Sequence, residues 1–180
     1  AFDLVRETED IDTALNWLEE VVSALESLHP TEQQQKARTQ AHFSPGDAPR
    51  EAILRLLNTA YKTVDICVFT ITDNILRDAL IRTSERGVAL RVISDNDKSS
   101  DRGSDIGFLQ HHNISVVTDR TDAHMHHKFA IFDQRTLLTG SYNWTRSAAR
   151  ENHENVVVTD DNRLVSLFIN EFNTLWTELH

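Results

Sequence analysis

The chain has 180 residues, of which 39% are hydrophobic and 26% are charged, and its formal net charge is −10. This is an ordinary globular composition, sufficient for one domain with a sizeable core. No apolar run is long enough to cross a bilayer, and the acidic balance does not favour sequence-indifferent binding of nucleic acid.

Residues 1–38 predict an N-terminal helical extension. A helix is expected over residues 9–28, because apolar residues recur there at spacings of three and four (Ile11, Leu15, Leu18, Val22 and Leu25). Packing on the rest of the chain is the simpler expectation for this extension, and contact with a partner is the alternative. The chain starts at Ala1 and its only methionine is Met125, so we expect a processed protein or a fragment. The compartment is not defined by the sequence; a soluble, cytoplasmic protein is the expectation.

Strand-like and helix-like patterns alternate from residue 39 to residue 180, the predicted catalytic domain. Strands are expected at 40–44, 64–70, 88–93, 114–117, 126–132, 136–139 and 154–159. Helices are expected at 48–61, 73–86, 104–112 and 162–179. This alternation predicts an α/β sandwich with a central, mostly parallel, mixed sheet flanked by helices.

The most informative segment runs from His126 to Asp133 and is followed by Gly140-Ser141-Tyr142-Asn143. Strand alternation places His126 and Lys128 on one face, about 6 to 7 Å apart. The imidazole of His126 is positioned to attack phosphorus as a nucleophile, and the ammonium of Lys128 to neutralise the phosphate oxygens.

Neutral donors complete this predicted phosphate site. The side-chain amide of Asn143 can donate a hydrogen bond to another phosphate oxygen, and the hydroxyl of Ser141 can donate one or orient the pocket. Gly140 leaves room for the backbone to approach a ligand.

Two acidic residues belong to the candidate catalytic set. Glu154, just before the last predicted strand, is expected to accept the second ring N–H of His126, as the carboxylate of a catalytic triad does. Asp133 falls on the opposite strand face from His126, so we expect it to bind turn amides rather than take a proton.

The spacing of these residues, H-x-K, four residues, D, six residues and G-S-x-N, resembles the HKD motif of the phospholipase D superfamily. The resemblance covers roughly residues 39–179, and His153-Glu154-Asn155 also resembles the single-motif nucleases and the mitochondrial cardiolipin hydrolase group. It implies a metal-independent phosphodiesterase that forms a covalent phosphohistidine on His126.

A general acid for the leaving group is missing from this single motif. By resemblance to single-motif members, two chains are expected to pair about a two-fold axis, so that His126 of the second subunit supplies the proton. The active site would then lie at the homodimer interface.

No cofactor and no catalytic metal are expected. His124 shares a face with His126, but two imidazoles at alternate positions do not complete a zinc shell, and Lys128 on that face disfavours a cation. His124 is expected instead to line the mouth of the site.

Two substrate classes remain open, because the chemistry is the same for both. The leading hypothesis is a nuclease that hydrolyses DNA or RNA, and the alternative is a phospholipase D or cardiolipin-type lipid hydrolase. A non-catalytic scaffold is the third reading, disfavoured by the complete set of motif residues.

Overall fold

The computed structural model describes residues 11–28, 37–97 and 104–180. The described helices are α1 (Ile11–Leu28), α2 (Ala48–Thr59), α3 (Asn74–Glu85), α4 (Ile106–His111), α5 (Arg146–Arg150) and α6 (Asn162–Leu179). The strands are β1 (Thr39–Phe43), β2 (Thr63–Val68), β3 (Ala89–Ser94), β4 (Ser115–Thr118), β5 (Lys128–Phe132), β6 (Thr136–Gly140) and β7 (Asn155–Thr159).

The chain divides into two compact units between Lys36 and Ala37, two residues before the predicted boundary. In the first unit, α1 has nearly the predicted bounds. Its side chains Leu15, Leu18 and Val22 are exposed. The other parts of the predicted extension, residues 1–10 and 29–36, lie outside the described residues.

The seven strands form one mixed sheet in the order β1-β7-β6-β5-β2-β3-β4. Helices cover both faces: one core cluster includes buried residues of α2, α3, α4 and α5, and the other includes Val165 and Phe172 of α6. The predicted α/β sandwich with a mixed sheet is therefore confirmed.

The balance of parallel and antiparallel pairing differs from the expectation. Five strands run in one direction, but the reversed strands β5 and β7 each lie between two of the others. Four of the six strand pairings are consequently antiparallel, and only β2–β3 and β3–β4 are parallel. The cause is local. The tight turn between β5 and β6 and the return of the chain through β7 produce antiparallel pairs, whereas connections through a helix produce parallel pairs.

The turn between β5 and β6 fixes the register of the motif strand. Asp133 and Gln134 both have positive φ values, of 53° and 54°, and the N–H of Arg135 donates to the carbonyl of Phe132 at 3.0 Å. These are the features of a type I′ turn, which matches the twist of the strands that it joins. On the other side of β5, Lys128 pairs with Val68 at the end of β2.

No helix among the described residues is both long and apolar enough to cross a membrane.

Gly140 should tolerate no side chain, because a Cβ at this position would lie 2.0 Å from the backbone oxygen of Asn155. We expect Gly140→Ala to lower the free energy of unfolding by about 1 to 3 kcal/mol, measured by urea denaturation. Gly107→Ala is the matched control, since a Cβ there meets nothing within 4 Å. Equal stability of the two variants would contradict the packing described here.

Candidate active site

Most of the predicted reacting residues lie at one edge of the sheet, where the ends of several strands meet. Strands β2, β3 and β6 end at this edge, while β5 and β7 begin there. Lys128 is the first residue of β5, Ser141 directly follows β6, and Glu154 directly precedes β7. Alternating strand directions thus bring together segments that are distant in sequence.

His126 and Lys128 pack around the aromatic ring of Phe69, which follows β2. The ring centroids of His126 and Phe69 are 4.7 Å apart, and the Lys128 Nζ lies 5.0 Å from the centroid of Phe69. The two motif side chains therefore lie on the same face, as strand alternation predicts. Lys128 also donates a hydrogen bond from Nζ to the backbone carbonyl of His126 at 2.7 Å.

The strand itself is shorter than predicted, because β5 begins at Lys128 rather than at residue 126. The backbone N–H of Phe69 still donates to the carbonyl of His127 at 3.0 Å, which extends the contact between the two segments by one residue. His126 itself lies on an irregular, exposed segment that precedes the strand.

The electrostatics of the site favour a neutral imidazole. Partial desolvation of the ring lowers the pKa of His126, and the positive charge of Lys128 lowers it further. Burial also lowers the pKa of Lys128, but the carboxylates of Glu154 and Asp95 oppose this effect and favour the ammonium form. A neutral imidazole beside a cation is the arrangement that nucleophilic attack on a phosphate requires.

Ser141 is held by the first residue of β7. Its Oγ accepts a hydrogen bond from the backbone N–H of Asn155 at 3.2 Å, and its own N–H donates to the carbonyl of Asn155 at 3.1 Å. Because Oγ acts as the acceptor in this contact, its hydroxyl hydrogen can be donated to a ligand. The absent side chain of Gly140 is what allows this close approach.

Asn143 lies next to the segment that leaves β2. The N–H of the following residue, Trp144, donates to the carbonyl of Thr70 at 3.2 Å, directly after Phe69. The side-chain Oδ1 of Asn143 is buried and has no hydrogen-bond partner among the described residues. Oδ1 is an acceptor and cannot bind a phosphate oxygen, so the phosphate contact predicted for Asn143 would have to come from its amide nitrogen, Nδ2.

The carboxylate of Glu154 makes a different contact from the predicted one. Its Oε1 accepts from the side-chain amide of Asn152 at 3.1 Å, and its backbone N–H donates to Ser44 Oγ at 3.1 Å. No hydrogen bond joins Glu154 to His126 among the contacts of the described residues. Within one chain, the nearest effect of Glu154 on the motif is its charge, which favours the ammonium form of Lys128.

Asp133 lies at the far end of β5 and is not part of this edge. Its Oδ1 accepts hydrogen bonds from the backbone N–H groups of Lys62 at 2.8 Å, Thr63 at 3.1 Å and Tyr61 at 3.2 Å. The carboxylate therefore ties the β5–β6 turn to the start of β2. This is a structural contact, although the amides lie at the start of β2 rather than in the turn as expected. Its membership of the catalytic set is not supported by this position.

Two residues of the site, Phe69 and Asp95, were not predicted from the sequence. Asp95 directly follows the buried strand β3, and the carboxyl ends of parallel strands are where functional groups collect, so this position carried a usable signal. Phe69 carried none, because an aromatic residue that ends a buried strand is equally typical of a core.

Three potential metal ligands lie beside the motif rather than within it. The side-chain ligand atoms of Asp95, Asp97 and His124 lie within 4.8 Å of one another. Neither His126 nor Lys128 belongs to this group. Carboxylate and imidazole ligands of this kind suit a divalent cation, but its position is separate from the proposed nucleophile.

Comparison with known proteins assigns the family. A family model described as "Cardiolipin synthase, PLD-like domain" matches residues 53–176. The chain belongs to the phospholipase D-like family. The match includes the motif strand, the turn after it and most of the flanking helices, and it agrees with the resemblance inferred from the motif.

Among its relatives, the chain is 45% identical over 139 residues to a mitochondrial cardiolipin hydrolase from Chlamydomonas reinhardtii. It is 40% identical over 135 residues to the human mitochondrial cardiolipin hydrolase. These alignments cover 77% and 75% of this chain, but only 62% and 54% of the two relatives.

Solved structures show the same fold. The phospholipase D family member Nuc from Salmonella typhimurium superposes with a TM-score of 0.75 at 25% identity, covering 81% of this chain and 97% of Nuc. NucT from Helicobacter pylori superposes with a TM-score of 0.74 at 20% identity, covering 80% of this chain and 98% of NucT.

Replacing Lys128 with Met should raise the pKa of His126, because the imidazolium would lose a repulsive positive neighbour. We expect the midpoint of the His126 ring titration, followed by NMR, to move to higher pH while remaining below the ordinary histidine value, since desolvation is the larger cause. Lys62→Met, at the opposite edge of the sheet, is the control. A midpoint that stays in place or falls would contradict this account.

Proposed function

We propose that this protein is a metal-independent phosphodiesterase that hydrolyses nucleic acid through a covalent phosphohistidine on His126. The observation that carries the proposal is the packing of the His126 imidazole and the Lys128 ammonium on the one ring of Phe69. An imidazole and an ammonium side by side at an exposed edge can act as a nucleophile and a phosphate-binding cation.

The reaction proceeds in two displacement steps. In the first, a ring nitrogen of His126 bonds to phosphorus, the bond from phosphorus to the leaving oxygen breaks, and a general acid protonates that oxygen. In the second, water attacks phosphorus, gives up a proton to the group that acted as acid, and releases the phosphate product with a free imidazole. Lys128, Ser141 and Asn143 bind the phosphate oxygens in both steps.

The general acid comes from a second copy of the chain. The motif residues of one chain supply one nucleophilic imidazole, and a two-fold axis beside His126 brings the partner subunit's His126 to the opposite side of the phosphorus atom. The active site is then complete only in the homodimer. Glu154 would orient an imidazole in that assembly, a contact that the single chain does not make.

An apolar face beside the motif supports this assembly. Helix α6 exposes Leu164 and Leu167, with 45% and 63% of their surfaces accessible. Leu167 and Phe168 line a groove of about 340 Å³ that is also lined by His126 and Lys128. A two-fold axis close to His126 would place the same face of a second chain against this one, which would cover both leucines.

Nucleic acid is the favoured substrate because the reacting groups lie at an open edge that a polymer can cross. His126 and His127 are exposed, and so are the basic residues Arg146 and Arg150 of α5, which begins three residues after Asn143. Two further basic residues, Lys98 and Arg102, lie outside the described residues.

A phosphatidyl lipid is the second candidate substrate. The groove beside His126 is partly apolar, lined by Phe129, Leu167 and Phe168, and such a groove can hold an acyl chain. The names of the mitochondrial cardiolipin hydrolases that the chain resembles also favour a lipid. A non-catalytic scaffold is disfavoured, because the whole HKD motif is intact.

The purified protein should hydrolyse single-stranded or plasmid DNA in the presence of EDTA, because the proposed mechanism uses no metal. Replacing His126 with Ala should lower this activity by roughly 10³-fold or more, since it removes the nucleophile. His111→Ala, which changes an exposed histidine on α4, should retain wild-type activity.

The same samples should be assayed on vesicles of cardiolipin and of phosphatidylglycerol. Hydrolysis of lipid without hydrolysis of DNA or RNA would replace the favoured substrate with the second candidate. Loss of all hydrolysis in EDTA, with recovery on addition of zinc, would contradict the metal-independent mechanism.

The double substitution of Leu164 and Leu167 by Glu should weaken the dimer by at least about 100-fold, because each chain would lose two buried apolar side chains. Light scattering should then report the 20.6 kDa monomer, and DNA hydrolysis should fall with dimer content. Tyr61→Glu is the control, since Tyr61 is 61% exposed at the opposite edge of the sheet. A monomeric variant with full activity would disprove the shared site.

A further inference from the structure

The imidazole of His124 is held by a hydrogen bond to a carboxylate, and the proposed mechanism does not use it. Its Nδ1 lies 3.0 Å from Oδ2 of Asp95, whose carboxylate is fully buried at the end of β3. The side chain of His124 is nevertheless 51% exposed. A buried carboxylate bound to one ring nitrogen fixes the orientation of an imidazole and leaves the other nitrogen to face solvent.

The ring of His124 lies beside the reacting groups. Its centroid is 5.4 Å from that of Phe69, the ring on which His126 and Lys128 also pack. One aromatic side chain thus gathers two imidazoles and an ammonium at the same edge.

We propose that His124 binds a second phosphate of the substrate, the phosphodiester group next to the one that His126 attacks. This inference rests on the proposed function and specifies its substrate as a strand with successive phosphates. The Nδ1–H of His124 donates to Asp95, and the Nε2–H of the imidazolium donates to a phosphate oxygen. The imidazolium has an N–H donor on each ring nitrogen, as this pair of contacts needs.

The spacing fits a nucleic acid strand. The ring centroids of His124 and His126 lie 5.4 and 4.7 Å from that of Phe69, so the two imidazoles are at most about 10 Å apart. Successive phosphates joined through a single sugar are closer together than this limit, so each ring can contact one of them.

A divalent cation is the competing occupant, because the exposed carboxylate of Asp97 brings a third ligand atom close to Asp95 and His124. The ammonium of Lys128 favours an anion at this edge instead. EDTA in every assay removes the cation and leaves the phosphate interaction to be measured alone.

The test uses two thymidine esters with the same leaving group. Thymidine 5′-(4-nitrophenyl phosphate) has one phosphate, and its 3′-phosphorylated derivative has a second phosphate across the sugar. An isomeric pair, with the nitrophenyl ester on the 3′ side, covers the opposite strand polarity. We expect the wild-type enzyme to prefer the second member of one pair by about tenfold in kcat/KM, through a lower KM.

His124→Gln should abolish that preference, because glutamine cannot carry the positive charge, and Asp95→Asn should reduce it. His112→Gln, a histidine outside the site, is the matched control and should keep it. A wild-type enzyme without the preference in either pair, or a His124→Gln variant that retains it, would overturn the proposal.

Two other outcomes separate this inference from the function on which it rests. A wild-type enzyme that hydrolyses none of the four esters and no DNA would refute the proposed nuclease itself. A preference for cardiolipin over phosphatidylglycerol that depends on His124, without any preference among the nucleotides, would overturn the assignment of the second phosphate to a nucleic acid strand.

Discussion

The site depends on one physical constraint, the packing of His126 and Lys128 on the ring of Phe69 at the edge of the sheet. Antiparallel pairing of β5 with β2 sets this contact, because it places Lys128 opposite Val68, one residue before Phe69. The turn that Asp133 holds at the far end of β5 fixes the same register. Asp133 therefore holds the motif strand in place from its far end, without contacting His126 or Lys128.

Charge in this protein is organised locally rather than over the whole surface. The chain is acidic, with a net charge of −10, yet the reacting edge combines an ammonium with imidazoles. Asp95 and Glu154 favour the charged form of Lys128, while desolvation and Lys128 itself keep the pKa of His126 low. A cationic Lys128 beside a neutral imidazole is the combination that the proposed mechanism needs.

Most elements of the fold could be predicted because their hydrophobic periodicity is strong, as in α6, which has the predicted bounds. Helix α5 was not predicted, because five residues are too few to show a helical periodicity of apolar positions. Its local signal was the N-cap at Thr145, whose Oγ accepts a hydrogen bond from the N–H of Ala148. The motif residues were found because their spacing is distinctive. The partner of His124 was not, because a contact between Asp95 and His124 depends on tertiary structure, which spacing along the chain does not encode.

The central claim, that two copies of His126 serve one phosphorus atom, is tested most directly by the stoichiometry of the phosphoenzyme. Acid quenching during turnover of a ³²P-labelled diester should trap phosphate on His126, and the bound label can be counted per chain. A shared site predicts no more than one phosphohistidine for every two chains at saturating substrate. One phosphohistidine on every chain would show that each subunit acts alone and would contradict the account.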